Sequence, residues 1–312
     1  MLEQLEVTSV TIKLPFRLNH VNCFLAEGET GWTIIDTGIH NQESYNKWKE
    51  YLDEREISDI IVTHYHPDHY GFAGKLQELT GAKVSMTETD YDAVLEISKR
   101  EEDGNLKKNY MKCGVPDDLI EKVLTKGSNF NEMVKPHASV NRFLKEGDKI
   151  KFGKYEYEVL DAPGHSDGLV CFFNKEQSVL FSTDHILPKI TPNISYHFYG
   201  EKNPLQKYLD SLERFKTLNA EYVIPSHGKP FLNANKRIDE IIRHHEIRCE
   251  QILDKIKTPS TVYEICVAVF VADMSYHDFK FALGETISHL EYLKQRGECS
   301  NEQEKSLELY KL

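Results

Sequence analysis

The stretch Thr63-His64-Tyr65-His66-Pro67-Asp68-His69-Tyr70-Gly71 follows the apolar run Ile60-Ile61-Val62 and precedes a helical pattern that begins near Gly74. It constrains the fold more than any other feature, because it sets four metal-ligand side chains at the mouth of a buried strand. On an extended segment residues two apart point the same way, so His64 and His66 can grip one ion while Asp68 and His69, past the turn, face a second. Imidazole and carboxylate ligands suit zinc, with iron and manganese as competitors, and no thiolate narrows the choice.

Three later strand ends repeat the arrangement. Apolar runs lead into Asp161-Ala162-Pro163-Gly164-His165-Ser166, into Thr183-Asp184-His185 and into Pro225-Ser226-His227-Gly228. His165, Asp184 and His227 supply what a binuclear centre needs beyond the opening motif: a third histidine for the first ion, a bridging carboxylate and a third protein ligand for the second. Asp36, leaving the strand Trp32 to Asp36, reads either as a turn former or as a carboxylate that orients a ligand histidine through its other ring nitrogen. Tyr196 and His197, in the loop after Asp184, are candidates to line a substrate pocket. His185 is adjacent to Asp184 and should point away from it. His20, His40, His137, His244, His245, His277 and His289 have no ligand spacing.

The flanking sequence indicates an α/β fold. Val7 to Leu14, Asn22 to Ala26 and Trp32 to Asp36 predict an antiparallel meander, and a helical pattern over 42 to 54 then alternates with the strands near 60 and 83. Residues 87 to 134 turn helical and polar, an insertion that either packs on the sheet or forms a lid over the metal mouth. Beyond Pro230 come a long helix over Ala234 to Ile256, further segments at 260 to 270 and 279 to 297, and a charged tail. The expected organisation is a catalytic domain over 1–232 and a helical domain over 233–312.

Formal charge is −12, from 38 basic and 50 acidic residues, and residues 235 to 312 hold 11 basic against 14 acidic side chains. That balance disfavours nucleic acid and favours a small-molecule substrate. The sequence has no membrane span, and its first residues lack the basic and apolar regions of a signal peptide, so a cytoplasmic location is expected. The six cysteines are widely spaced and read as reduced packing residues. Oligomeric state is left open.

His-x-His-x-Asp-His followed by a histidine, an aspartate and a histidine in this order resembles the metallo-β-lactamase superfamily, as do the turns Ile35-Asp36-Thr37-Gly38 and Pro163-Gly164-His165-Ser166. The resemblance covers about residues 7 to 232. It implies a four-layer αββα sandwich with the metals at one edge between the sheets. His64, His66 and His165 would hold one zinc, Asp68, His69 and His227 a second, and Asp184 would bridge them. Thr183 and Ser226 stand where the family usually has glycine. The implied activity is hydrolysis of a small ester, thioester or lactone through a metal-bridging hydroxide, with Asp68 orienting the nucleophile or passing a proton. Histidine at 66, where oxygen-reducing di-iron relatives carry glutamate, favours a hydrolase; iron sulfur dioxygenases retain the same motif and stay an alternative. Residues beyond 232 resemble the winged-helix appendage of a branch that includes an endoribonuclease, so phosphodiester cleavage is a further alternative.

Overall fold

Val7–Lys13 (β1), His20–Glu27 (β2) and Trp32–Ile35 (β3) pair antiparallel as a meander. After helix α1 (Gln42–Leu52), strands β4 (Ile57–Ile61), β5 (Lys83–Met86) and β6 (Val140–Phe143) join in parallel, so the spatial order of this six-stranded sheet is its sequence order. Two short helices, α2 (Pro67–Tyr70) and α3 (Ala73–Thr80), connect β4 to β5. Between β5 and β6 the insertion folds as α4 (Glu88–Asp103), α5 (Asn105–Lys112), α6 (Asp117–Lys126) and α7 (Phe130–Val134). This computed structural model describes residues 1–312 apart from 104, 127, 128 and 271–273, with backbone alone at 100–103.

The second six-stranded sheet contains β7 (Lys149–Phe152), β8 (Tyr155–Asp161), β9 (Val170–Asn174), β10 (Val179–Thr183), β11 (Tyr222–Pro225) and β12 (Phe231–Leu232), with helix α8 (Pro204–Lys216) crossing between β10 and β11. Alternation along the strands explains the layering. Ile35 and Ile61 meet Phe172, Phe181 and Ile224 between the sheets, while Ile34 and Ile60 point outward onto Trp48 and Leu76 of the covering helices. On the far face Cys171, Leu180 and Val223 pack under Tyr208 and Leu212 of α8. Strands buried on both faces read as near-continuous apolar runs, which is why these were visible in the sequence. The layers therefore run helix, sheet, sheet, helix.

The rest of the chain forms α9 (Ala234–Lys255), β13 (Ser260–Thr261), α10 (Val262–Val269), α11 (Tyr276–Gln295), β14 (Ser300–Glu304) and β15 (Leu307–Lys311), the strands pairing in the order β13-β15-β14. The expected charged tail is thus a β-hairpin. Its strand Ser300-Asn-Glu-Gln-Glu is a polar edge with no apolar alternation to announce it. Ile241 of α9 and Leu283, Ile287 and Leu290 of α11 share one core with the second sheet and with Tyr110, Ile120 and Val123 of the insertion. Leu95, Met111 and Leu124 of the insertion are solvent-exposed. All six cysteines are buried and unpaired. Among the described residues no helix is long and apolar enough to cross a membrane.

Candidate metal centre

The end of β4 delivers His64 and His66, and α2 then places Asp68 and His69 on one helical turn. The loops after β8, β10 and β11 bring His165, Asp184 and His227 to the same edge. All seven converge as three overlapping groups: His64, His66 and His165; His64, His69 and Asp184; Asp68, His69 and His227. His66 Nδ1 lies 3.1 Å from His64 Nε2 and 2.9 Å from His165 Nε2. Asp184 Oδ2 sits centrally, 3.5 Å from His69 Nε2, 3.5 Å from His165 Nε2 and 3.2 Å from His227 Nε2. Asp68 Oδ2 is 3.6 Å from His69 Nε2 and 3.4 Å from His227 Nε2.

The donor set fits divalent cations on two counts. His69 Nε2, His227 Nε2 and Asp184 Oδ1 are buried atoms with no hydrogen-bond partner, a cost that a coordinated ion removes. Four of the five imidazoles also have the opposite ring nitrogen engaged: His64 Nδ1 with Thr63 Oγ1 at 3.0 Å, His69 Nδ1 with Asp36 Oδ2 at 2.8 Å, His165 Nδ1 with the Asn193 carbonyl at 2.8 Å, and His227 Nδ1 with the His20 carbonyl at 2.6 Å. Such partners fix tautomer and ring orientation for metal binding.

Charge divides the cluster. Burial and the neighbouring imidazoles hold His64 and His66 well below the usual histidine range, as neutral lone-pair donors. Burial works against a charged His69, but the carboxylates of Asp184, Asp68 and Asp36 outweigh it and hold that ring well above the usual range. Against the same burial penalty, Asp184 and Asp68 carry His227 up to about 10. Asp68 and Asp184 stay well below the usual carboxylate range, since His69 and His227 overcome the burial that would raise them. A dication entering here displaces protons.

The backbone is bent to suit. Asp36 has a φ of 57° and is fully buried; besides His69 it accepts hydrogen bonds from Thr63 N at 2.8 Å and Thr63 Oγ1 at 2.9 Å. Thr183 has a φ of 48°, rare for a β-branched residue, just where the β10–β11 register shifts, and Asp184 follows immediately. Its Oγ1 donates to the Val170 carbonyl at 3.1 Å, so the threonine leans onto β9 and not into a pocket.

Sequence reasoning missed several contributors. Asp90, in the first turn of α4, clamps two ligand loops together. Its Oδ2 accepts from Tyr65 N at 2.9 Å and Ser166 Oγ at 2.7 Å, and its Oδ1 from Gly168 N at 2.7 Å. Burial pushes Asp90 up to about 6 in spite of these bonds. His20 contributes its carbonyl to His227, and its Nε2 accepts from Gly228 N at 3.0 Å. His185 is buried against Phe215 and Tyr208, away from the ligand atoms.

A cavity of about 260 Å³ opens beside His66. Leu106, Tyr110 and Phe130 of the insertion wall one side, Tyr196 and Phe198 another, and Phe281 of α11 a third. His197 lines it too, its Nε2 3.4 Å from the Tyr65 hydroxyl, which lies 3.1 Å from that of Tyr199.

A largely buried cluster of five histidines and two aspartates, at the edge where two sheets of an αββα sandwich meet, defines a metalloprotein of the α/β class. The chain belongs to the metallo-β-lactamase superfamily, whose sequence pattern matches residues 17–227, and the pattern of a metallo-β-lactamase-like C-terminal domain matches residues 249–308. A β-lactamase domain protein from Burkholderia ambifaria superposes with a TM-score of 0.86 at 30% identity, covering 98% of this chain and 92% of that one. A probable metallo-hydrolase of Bacillus subtilis, YqjP, is 24% identical over 93% of this chain and 92% of its own length. A hydroxyacylglutathione hydrolase of Pseudomonas putida is 24% identical over 73% of this chain and 72% of its own.

Proposed function

We propose that the protein is a metal-dependent hydrolase of a small ester, thioester or lactone with an apolar acyl group. The observation that carries this reading is the apolar cavity opening directly beside His66 of the ligand cluster. A cavity of about 260 Å³ suits a small ligand such as an acyl chain or a single ring system. The likeness to a probable metallo-hydrolase and to a hydroxyacylglutathione hydrolase supports the same class.

In this reading His64, His66 and His165 would hold one ion, Asp68, His69 and His227 the other, with Asp184 shared; zinc is the proposed species, ahead of iron or manganese. When bound, such ions supply water ionised near neutral pH and Lewis-acid polarisation of the scissile carbonyl. Asp68, the more exposed of the two carboxylates, orients the attacking water and carries its proton toward the leaving group. Tyr65, His197 and Tyr199 provide hydrogen-bonding groups at a mainly apolar mouth. Residues 1–232 form the catalytic domain and 233–312 a winged-helix element, whose order of helix, strand, two helices and hairpin suits that name and whose α11 serves as pocket wall and not as a nucleic-acid reader.

The test assays zinc-loaded and, in parallel, iron-loaded protein on acyl thioesters, lactones, single-stranded RNA and, with oxygen uptake, a thiol persulfide. Hydrolysis of an acyl substrate that is lost on chelation and in His66→Ala is expected. Metal-dependent RNA cleavage outpacing every acyl substrate, or iron-dependent oxygen uptake, overturns the assignment.

A further inference from the structure

We propose that Glu285, on α11, is a positioning residue for His165 and acts through Asn193; the inference rests on His165 being a metal ligand. His165 Nδ1 donates to the Asn193 carbonyl, 2.8 Å away. Asn193 lies in a segment between β10 and α8 that has no helix or strand of its own over residues 187 to 203, so its place must be set by what it leans on. It leans on α11. Asn193 Nδ2 donates to Glu285 Oε2 at 3.1 Å and to the Phe281 carbonyl at 3.4 Å, and Tyr196 N donates to the Gly284 carbonyl at 3.0 Å. Ser195 Oγ closes on Asn193 Oδ1. Gly284 permits the approach, because a Cβ there would stand 2.7 Å from Ser195 Oγ.

Glu285 is itself held from behind. Its Oε1 lies 3.6 Å from Arg248 Nε on α9, and both side chains are largely buried. The Arg248 guanidinium sits 4.4 Å from the Phe270 ring, which restrains it further. The path Arg248–Glu285–Asn193–His165 thus begins on the helices after residue 233 and ends on an imidazole of the cluster. Removing the Glu285 carboxylate takes away the shorter of the two acceptors that hold the Asn193 NH₂ group, leaving the Phe281 carbonyl at 3.4 Å, and the carbonyl that aims His165 is then less firmly fixed. The C-terminal helices in this way set the geometry of the first metal group, a role that covering a hydrophobic face alone would not require.

The experiment measures affinity for zinc by competition with a chromogenic chelator, together with thermal unfolding, in the full chain. The variants are His165→Ala, Glu285→Ala, Glu285→Gln, Asn193→Ala and the double Glu285→Ala/Asn193→Ala. Glu285→Ala and Asn193→Ala are each expected to weaken one zinc by about 10- to 100-fold, as loss of a ligand's orienting partner does. The double should be no more than about threefold worse than the poorer single, because both break one path. Glu285→Gln, whose amide oxygen still accepts from Asn193, should stay within about threefold of the parent. A lowered melting temperature with unchanged zinc affinity in both alanine variants overturns the proposal, as do additive losses or a glutamine variant as weak as alanine. If Glu285→Ala does not fold, Asn193→Ala and Glu285→Gln carry the test. Zinc affinity unchanged in His165→Ala would instead show that the assignment of His165 as a ligand has failed.

Discussion

Replacing Asp90 with alanine removes the acceptor for three hydrogen bonds, all made on a side chain that is 1% exposed. The Ser166 hydroxyl can turn to a new partner, but the main-chain N–H groups of Tyr65 and Gly168 cannot. Each orphaned buried donor costs about 1–3 kcal/mol, so the loss should be about 3 kcal/mol, with water admitted to the gap keeping it below the upper sum. Asp90→Asn should fall between parent and alanine, since its amide oxygen satisfies one of these donors while its NH₂ opposes the other. Urea unfolding of the full chain measures the stability change. Chelator competition should show weakened zinc binding as well, because the loops carrying His64, His66 and His165 lose their common anchor. A destabilisation below about 1 kcal/mol for Asp90→Ala would refute the reasoning, for it would mean that the two loops hold their spacing without the carboxylate.

Two more outcomes are expected. Thr183→Val, which keeps the left-handed strain and loses the hydroxyl bond to Val170, should cost about 1–2 kcal/mol, whereas Thr183→Gly trades that bond for relief of about 1–3 kcal/mol of strain and should cost less; the reverse order in urea unfolding would contradict the strain argument. His289, lowered to about 4 by burial, binds its proton more weakly folded than unfolded, so stability should be complete above about pH 6.5 and decline as pH falls toward 4, by about 3 kcal/mol at about 1.4 kcal/mol per pH unit. In His289→Gln the acid limb should flatten, and an unchanged slope would count against it.

The side chains of the cluster were legible because each lies at or just beyond the end of a largely buried strand, and such strands announce themselves as apolar runs. What was hidden has two physical sources. Strands β6, β7 and β14 lie at sheet edges, where one side meets water and charged residues are tolerated, so Val-Asn-Arg-Phe and Lys-Ile-Lys-Phe carry little apolar signal. The supporting contacts of His20, Asp90, Asn193 and Glu285 join residues far apart in the chain. Two of them act through a main-chain carbonyl, which any residue possesses. No spacing rule reaches from Asp90 to Ser166 or from His20 to His227.

The first sheet brings His64, His66, Asp68 and His69, and the second brings His165, Asp184 and His227, so neither half holds a complete set for any of the three groups without overlap from the other. A chain growing from its N-terminus therefore presents a half-made grip until residue 227 has been synthesised and the sheets have docked. An ion held there ties together points more than a hundred residues apart and acts as a cross-link; by analogy with a disulfide closing a loop of about 100 residues, that constraint alone amounts to about 4–5 kcal/mol of chain entropy removed from the unfolded state. Metal uptake would then also report on assembly, since the full donor set of each group exists only in the finished sandwich.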